Sequence, residues 1–533
     1  MAGEADQYGI SRLDEKKYKS SKELNVSMQL SGNILLELAA GIAPDEQLLQ
    51  LPEKVLQFGT GVLLRGLPDY CIDAANRKGI FNGRIVVVKS TAGGTDAFRK
   101  QDGMYTLLER GIQDGKPVEN IMINTSISRV LSAADEWEEI LACAANPAMQ
   151  LVISNTTEIG IVLVEPDAVN PVPVSYPGRL LAFLEERYRI FRGSYDAGMV
   201  IVPAELIVDN GTQLKHIVTT LAKLKGHGAA FMNWLHEAND FCNSLVDCIV
   251  PGKLPAAEHA AMERRLGYQD ELMIMSEPYR LWAIETSRER TRQILSFSEV
   301  NSGVVITPDI SKFRELKLRL LNGTHTFACA LALLSGFTTV KEAMNDENFS
   351  RFVSALMLQE IAPLVSSEES ITAEETYLFS QQVLDRFRNP YIEHPWISIS
   401  VQYTSKMFMR CIPLISKHYS TSSEAPVWMS LGFAAYLLFT KPSGIPGKQY
   451  YTEAAGKTYP VQDDMAGILY EHWHSEPDME KALRAIVSDT RLYGQDLTKY
   501  PHFTEAVQVY LAALMQQGAE KTLPSGILKQ MTA

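Results

Sequence analysis

The stretch Lys54-Val-Leu-Gln-Phe-Gly59-Thr-Gly61-Val-Leu-Leu-Arg65-Gly66 decides how the first half of the chain is interpreted. A short apolar run leads into two glycines that are separated by one residue, and a second apolar run follows. This order predicts a β-strand, a tight turn and the start of a helix. The next apolar strand, Arg84–Lys89, follows about 25 residues later, which is the spacing of a βαβ unit.

The glycine turn has features of a dinucleotide-binding loop. Gly59 permits the tight turn, Gly61 lets the backbone approach a pyrophosphate, and the N-terminus of the helix favours the anion. Leu64 stands where the usual fingerprint has its third glycine. Taken alone, the motif is therefore also consistent with an ordinary strand, turn and helix.

The residue that ends the second strand bears on the choice of cofactor. A dinucleotide site usually has Asp or Glu here to hold the ribose 2′-hydroxyl, whereas this chain has Lys89. A lysine suits a 2′-phosphate, which on physical grounds favours NADP; the alternative is a solvated lysine beside the adenine. Lys89 alone leaves the choice between NAD and NADP open.

Composition limits the class of protein. A chain of 533 residues is too long for one core, and its 46% hydrophobic and 21% charged content is typical of a soluble protein. A formal net charge of −13 argues against binding to nucleic acid or to an anionic membrane surface. The six cysteines lack metal-type spacing and the N-terminus lacks a signal-peptide pattern, so we expect reduced thiols, no metal site and a cytoplasmic protein.

Two further buried strands are predicted to end in polar residues. Residues 150–158 carry Asn155, Thr156 and Glu158 at the carboxyl end, and residues 199–211 repeat the arrangement. The carboxyl edge of a parallel sheet is where doubly wound folds bind ligands. Helical stretches at 179–190 and 213–224 alternate with these strands, so the first half is predicted to be α/β.

The pattern changes after about residue 305 to long apolar segments with helical periodicity. They cover residues 318–337, 347–366, 372–387, 427–440 and 503–518, whereas residues 441–456 resemble a loop. The predicted organisation is an N-terminal extension (1–50), an α/β domain (51–308) and a mainly α-helical domain (309–533).

The helical half opens with Lys317-Leu-Arg-Leu-Leu-Asn322-Gly-Thr-His325. On an α-helix of about 100° per residue, Lys317, Asn322 and His325 fall at about 0°, 140° and 80°, which is one side of the helix. One interpretation is a structural lysine paired with a carboxylate. The other is a desolvated lysine that exchanges a proton, with the amide and imidazole holding a polar substrate beside it.

These motifs together resemble the mannitol dehydrogenase family of long-chain polyol and sugar-acid dehydrogenases. The resemblance rests on Phe58-Gly-Thr-Gly61-x-x-x-Arg65 and on Lys317-x4-Asn322-x2-His325. It is supported by Gln101-Asp-Gly-Met-Tyr-Thr, Ser154-Asn-Thr-Thr-Glu and Arg386-Phe-Arg-Asn-Pro-Tyr-Ile, which are similar to the sugar-acid members. The resemblance implies a Rossmann-type NAD-binding domain and metal-independent hydride transfer to or from a sugar acid.

The resemblance also implies roles for individual residues. Lys317 is expected to be the general acid/base, Asn322 to hydrogen-bond the reacting oxygen, and His325 to hold a substrate hydroxyl. The residues that the motifs and the resemblance assign to the cofactor are Phe58, Gly59, Thr60, Gly61, Arg65, Lys89, Asn155, Thr156 and Glu158.

The substrate pocket is expected to depart from that of the polyol enzymes. Asp247 matches a family active-site aspartate, and Lys406 matches a substrate-binding lysine. Leu206 and Ser398, however, stand where the polyol enzymes have asparagine and arginine, respectively. In addition, Cys248 stands where the family usually has an arginine after the aspartate. The first two departures favour a sugar acid, whose carboxylate Arg388, His394 or Lys406 would bind. The alternatives are a sister enzyme for another sugar acid or a hexitol, and a non-catalytic dinucleotide-binding protein.

Overall fold

The computed structural model describes residues 28–38, 42–90, 93–156, 160–368, 370–445 and 449–523. The chain forms two compact units: the first comprises Met1–Arg110 and Pro117–Ile310, and the second comprises Gly111–Lys116 and Ser311–Ala533. Among the helices in these ranges, we find none that combines the length and the apolar character needed to cross a bilayer.

The strands are numbered along the chain. They are β1 (Glu53–Phe58), β2 (Arg84–Lys89), β3 (Tyr105–Gln113), β4 (Lys116–Asn124), β5 (Ile127–Ser132), β6 (Leu151–Ser154), β7 (Val200–Pro203), β8 (Asp240–Phe241), β9 (Ser244–Asp247), β10 (Ile274–Ser276), β11 (Leu281–Glu285), β12 (Val304–Thr307), β13 (Ser443–Ile445), β14 (Gln449–Ala454) and β15 (Lys457–Pro460).

The α-helices are numbered in the same way, and three π-helical segments interrupt those of the second unit. The first unit has α1 (Val62–Gly66), α2 (Pro68–Arg77), α3 (Asp96–Lys100), α4 (Trp137–Ala142), α5 (Tyr176–Ile190), α6 (Asn210–Leu224), α7 (Ala229–Glu237), α8 (Ala256–Leu266) and α9 (Glu289–Ile294). The second unit has α10 (Ser311–Leu316), π1 (Lys317–Gly323), α11 (Thr324–Leu334), α12 (Val340–Asn345), α13 (Glu347–Ala355), π2 (Leu356–Ile361), α14 (Ala362–Val365), α15 (Ala373–Phe387), α16 (Trp396–Ile399), α17 (Tyr403–Lys406), π3 (Met407–Cys411), α18 (Ile412–His418), α19 (Val427–Phe439), α20 (Ala466–Ser475), α21 (Met479–Ser488), α22 (Thr490–Tyr493), α23 (Phe503–Gln517) and α24 (Ala519–Thr522).

A parallel sheet forms the centre of the first unit. Its strand order is β5-β2-β1-β6-β7-β8, and every neighbouring pair is parallel. Numbered by their own order along the chain, these strands run 3-2-1-4-5-6, which is the Rossmann arrangement. The predicted Rossmann-type domain is confirmed. The strand order reverses between β1 and β6, so their carboxyl ends define the topological switch point.

The sheet is buried on both faces, which explains its continuous apolar strands. Successive side chains of a strand point to opposite faces. Leu56 and Phe58 lie in the core formed with α5, α6 and α7, whereas Val55 lies in the core formed with α2. A smaller cluster includes Leu30 of the N-terminal segment, whose neighbour Gln29 bridges to Gln269. Residues 28–38 therefore pack on this unit.

The second unit is mainly helical, as predicted, with one exception. The sequence predicted residues 441–456 to be a loop, but 443–445 and 449–454 form β13 and β14 of the antiparallel sheet β13-β14-β15, and 446–448 lie outside the described residues. Tyr450, Tyr451 and Thr452 are residue types that favour strands. Ala455 and Gly456 connect β14 to β15 with φ of 47° and 73°, which is the geometry of a tight hairpin turn.

A buried polar network lies beneath the glycine turn of the first unit. Gln57 Nε2 lies 3.5 Å from Asp69 Oδ2 and 3.4 Å from the carbonyl oxygen of Gly59. Gln57 Oε1 and Asp69 Oδ1 are buried acceptors that lack a donor among the described residues. Burial raises the pKa of Asp69 to about 8, against the opposing charge of Arg65. The carboxyl group is therefore protonated at neutral pH and has a proton to donate within this network.

Replacing Asp69 by asparagine should flatten the pH dependence of stability. The pKa of Asp69 is about 8 in the folded protein and about 3.9 in an unfolded chain. Between these pH values the unfolded chain has lost the proton while the folded protein keeps it. The free energy of unfolding therefore falls as pH rises through this range. Asparagine stays neutral, so urea denaturation should show Asp69→Asn to be more stable than wild type at pH 8. Retention of the wild-type slope between pH 5 and pH 8 would contradict this; exposed Asp135→Asn serves as the control.

Candidate active site

The two glycines of the turn differ in what surrounds them. Gly59 has a φ of +123°, and a Cβ there would lie 3.1 Å from the carbonyl oxygen of Asn155. A Cβ on Gly61 would have nothing within 4 Å. Gly59 is thus required by the backbone, whereas Gly61 leaves open space in front of the turn.

The helix after the turn is short. It ends at Gly66 after five residues, and Pro68 begins a second helix. The intervening Leu67 has φ −124° and ψ −75°, because the residue before a proline is disfavoured in the helical region.

A buried carboxylate fixes the neighbouring loop at the switch point. Glu205, which is 3% exposed, accepts hydrogen bonds from the Thr156 amide and hydroxyl, both at 2.9 Å, and from the Ser154 hydroxyl at 3.1 Å. The Asn155 side chain donates to the carbonyl of Ala204 at 2.7 Å. Sequence reasoning did not assign a role to Glu205; its position at the carboxyl end of β7 was the available signal.

This edge of the sheet fits a dinucleotide. Gly61 opens onto free space, and the loop of Asn155 and Thr156 is held rigidly beside it. The carboxyl edge at the switch point is where doubly wound sheets bind dinucleotides.

Two residues that were predicted to bind the cofactor have their side chains in the interior. Phe58 is fully buried and packs on Tyr176 with ring centroids 4.9 Å apart, so only its backbone faces the loop. Arg65, which is 6% exposed, donates to the carbonyl of Leu272 at 2.6 Å and lies over the ring of Tyr105.

The other predicted residues of the first unit are distributed along strand ends. Thr60 is half-buried in the turn, and Lys89 is half-buried at the end of β2. Asp247 is buried at the end of β9, and Leu206 is 64% exposed just after β7. Glu158 lies outside the described residues.

The lysine stretch of the second unit is π-helical, not α-helical as predicted. Its hydrogen bonds join residues five apart, and such segments frequently occur at functional sites. Residues five apart are neighbours along a π-helix, as residues four apart are along an α-helix. Lys317 and Asn322 therefore lie closer together than the 140° of an α-helix implies. Both are half-buried, and the Asn322 side chain has no hydrogen-bond partner within the described ranges.

His325 is the second residue of α11, which continues from this segment, and its ring is enclosed. It stacks on Phe387 with centroids 4.0 Å apart, and it lies perpendicular to His394 at 5.2 Å. Burial, followed by the charges of His394, Arg386 and Arg410, holds the pKa of His325 well below its usual value. The imidazole is therefore neutral. Its buried Nε2 has no partner in the described part of the chain and can bond a substrate hydroxyl.

His394 lies beside this imidazole, and Arg386 is the arginine whose charge acts on both rings. Burial, followed by the charges of Arg386 and Lys406, lowers the pKa of His394. Arg386 is buried near the end of α15, and its charge acts on both imidazoles. Arg388 is the half-buried C-cap of the same helix.

Two buried contacts hold the helix that carries Lys406. The Asp463 carboxylate accepts from the amide and hydroxyl of Thr404, both at 2.7 Å, at the N-terminus of α17. The Tyr403 hydroxyl inserts into α11: it donates to the Thr326 carbonyl at 2.7 Å and accepts from the Ala330 amide at 2.9 Å. The Tyr403 contacts fix α17 against α11, the helix that carries His325.

The Lys406 ammonium reaches back to the end of the preceding helix, α16. Nζ donates to the carbonyl of Ile399 at 2.9 Å, and burial, followed by the charge of Arg410, lowers the pKa of Lys406. Arg410 was not predicted as a site residue, although a second cation four residues after Lys406 was visible in the sequence. The neutral imidazoles thus lie among Arg386, Lys406 and Arg410, in surroundings that suit an anionic ligand.

Curated relatives resemble the chain over most of its length. The altronate oxidoreductase of Halalkalibacterium halodurans is 35% identical over 491 residues, which cover 90% of this chain and 94% of the relative. The altronate oxidoreductase of Bacillus subtilis is 36% identical over 481 residues, which cover 89% of this chain and 95% of the relative.

Solved structures share the fold. The mannitol 2-dehydrogenase of Pseudomonas fluorescens, in a ternary complex with NAD and D-mannitol, has a TM-score of 0.66 at 22% identity, covering 94% of this chain and 100% of the other. A D-sorbitol dehydrogenase in substrate-free form has a TM-score of 0.75 at 19% identity, covering 93% and 100%. At these identities the similarity establishes the fold alone.

Family models match both halves of the chain. The mannitol dehydrogenase Rossmann domain matches residues 53–295, and the mannitol dehydrogenase C-terminal domain matches residues 309–515. The chain belongs to the mannitol dehydrogenase family of oxidoreductases.

Proposed function

We propose that the protein is an NAD-dependent dehydrogenase that interconverts D-tagaturonate and D-altronate. The relatives named altronate oxidoreductase, at 35% and 36% identity over about nine-tenths of the chain, support this substrate pair. The structural observation that carries the proposal is the neutral, enclosed imidazole of His325 beside Arg386 and Arg410, next to His394, on which Lys406 acts. A polyhydroxylated acid matches both features, because its hydroxyls need neutral hydrogen-bonding groups and its carboxylate needs cations.

The cofactor is NAD, which supplies the hydride in reduction and accepts it in oxidation. The open space at Gly61 admits a pyrophosphate to the backbone of the turn. Asn155 and Thr156, held by Ala204 and Glu205, form the adjacent wall. Family membership favours NAD over NADP despite Lys89, and a preference for NADPH in steady-state kinetics would reverse that choice.

Lys317 is the general acid in reduction, where its ammonium gives a proton to the carbonyl oxygen of the substrate. In oxidation the neutral amine takes the proton of the alcohol. The side-chain amide of Asn322 donates to the same oxygen as negative charge develops on it. The π-helical turn supports this pairing because it sets the two residues on neighbouring positions. Removal of one such donor typically costs about 10²- to 10³-fold in rate.

The remaining residues hold the substrate. The neutral imidazole of His325 bonds a hydroxyl, and the Phe387 ring keeps its plane fixed. Asp247, His394 and Lys406 complete the proposed substrate-binding set.

A sister enzyme that reduces fructuronate or oxidises a hexitol is the second candidate. The exposed Leu206 and Ser398 replace polar residues expected of a hexitol enzyme, which favours the sugar acid. A panel of tagaturonate, fructuronate and fructose, assayed with NADH, separates these substrates. We expect the highest kcat/KM for tagaturonate, whereas a higher value for fructose or fructuronate would refute the proposed substrate.

Replacement of Lys317 should separate chemistry from cofactor binding. In Lys317→Ala we expect kcat for altronate oxidation to fall by about 10²- to 10⁴-fold, because the proton acceptor is lost. NADH binding, followed by fluorescence titration, should stay unchanged. Lys312→Ala is the matched control, since this lysine of α10 pairs with Glu375 at 2.7 Å outside the proposed site. Near-normal altronate oxidation by Lys317→Ala would rule out the assigned role.

Alanine at the two glycines should give different defects. At Gly59 the positive φ and the close Asn155 carbonyl should lower the free energy of unfolding by about 1–3 kcal/mol. At Gly61 the added methyl meets no protein atom, so thermal unfolding should be unchanged while the Kd for NADH rises. Calorimetry and fluorescence titration measure the two effects. Normal NADH affinity in Gly61→Ala would show that the cofactor does not approach this turn.

A further inference from the structure

Arg410 has an unusual position for a partly buried arginine. It lies in π3, four residues after Lys406, and its Nη1 is 3.3 Å from the Thr326 hydroxyl, next to His325. In the described part of the chain this is the guanidinium's one hydrogen bond, and it has no ion pair there. Most of its donors are therefore available to a ligand.

Among the described residues, no carboxylate forms an ion pair with Arg410. Burial lowers the pKa of Arg410, and the neighbouring Cys411 acts in the opposite direction. By contrast, the buried Arg280 pairs directly with Glu109. Lys406, four residues earlier, adds a second positive charge: burial and then the charge of Arg410 lower the pKa of Lys406, while Cys329 and Asp463 oppose this shift. An anion bound beside these two cations would interact favourably with both.

The backbone around Arg410 is held in place. Arg319 of π1 donates to the carbonyls of Met409 at 2.9 Å and of Arg410 at 3.1 Å. The hydroxyl of Thr326, which Arg410 contacts, donates in turn to the carbonyl of Asn322 at 2.7 Å. An anion on the guanidinium would therefore lie in a fixed relation to Asn322 and His325.

We propose that Arg410, together with Lys406, binds the carboxylate of the substrate and so determines the preference for a sugar acid over a neutral sugar. The inference rests on the proposed function and names the group that recognises the acid. A guanidinium offers parallel N–H donors that match a carboxylate, whereas an ammonium supplies a point charge. Arg388, the half-buried C-cap residue of α15, is the alternative candidate.

The test compares altronate with altritol, its neutral counterpart, in Arg410→Gln and Arg410→Lys. We expect kcat/KM for altronate to fall by about 10- to 100-fold in Arg410→Gln, mainly through KM, with partial recovery in Arg410→Lys. The inhibition constant of altritol should stay within about twofold of wild type. The exposed Arg351, paired with Glu347 on α13, gives the matched control Arg351→Gln, which should behave as wild type.

Two outcomes would overturn the role of Arg410. One is an unchanged kcat/KM for altronate in a folded Arg410→Gln, or an equal loss of altritol binding. The other is a fall in kcat/KM for altronate in Arg388→Gln, with altritol inhibition unchanged, while Arg410→Gln behaves as wild type. The wild-type enzyme is assayed first. If it does not turn over altronate with NAD, the proposed function is wrong. If it does, a failed Arg410 prediction refutes only the carboxylate-binding role.

Discussion

The π-helical turn of Lys317–Gly323 is the constraint on which the proposed chemistry depends. By joining residues five apart, it brings a lysine and a carboxamide to neighbouring positions without a loop. The turn is held from outside: Arg319 bonds the carbonyls of a second π-helical segment, and Tyr403 inserts its hydroxyl into the following helix. Lys317, Asn322 and His325 therefore belong to one continuous, packed element, and the proposed mechanism, with Lys317 as proton donor and Asn322 as oxyanion donor, needs them to be preorganised in this way.

The proposed substrate site contains two kinds of group, neutral imidazoles and cations. His325 and His394 are kept neutral by burial and by nearby cations, so they can serve hydroxyl groups. Burial, followed by the charge of Arg410, lowers the pKa of Lys406, and Asp463 opposes that shift. The carboxylate of a sugar acid would add a negative charge beside both cations, whereas a hexitol would not. The proposed preference for an acid thus depends chiefly on Arg410, which has no ion pair within the described residues.

Much of the fold could be predicted because buried parallel strands read as continuous apolar runs, as in Arg84–Lys89, and because helical periodicity persists over the second half. Local rules failed where tertiary context decides. The π-turn is too short to leave a periodic signal, and the β14–β15 turn places Ala455 at a positive φ that alanine rarely adopts. Glu205 and Arg410 were missed because their roles depend on hydrogen bonds to distant residues. The glycine-turn motif also did not predict that the Arg65 guanidinium lies in the interior, where it bonds the distant Leu272 carbonyl.

A crystal structure with NAD and altronate would locate the reacting oxygen relative to Lys317 and Asn322. We expect the reacting hydroxyl oxygen to lie within about 3 Å of both Lys317 Nζ and the Asn322 side-chain amide. We also expect the segment Lys317–Gly323 to keep its π-helical bonding when substrate is bound. A complex in which the reacting oxygen contacts neither residue, or in which the lysine stays in a structural ion pair away from the substrate, would contradict the proposed mechanism.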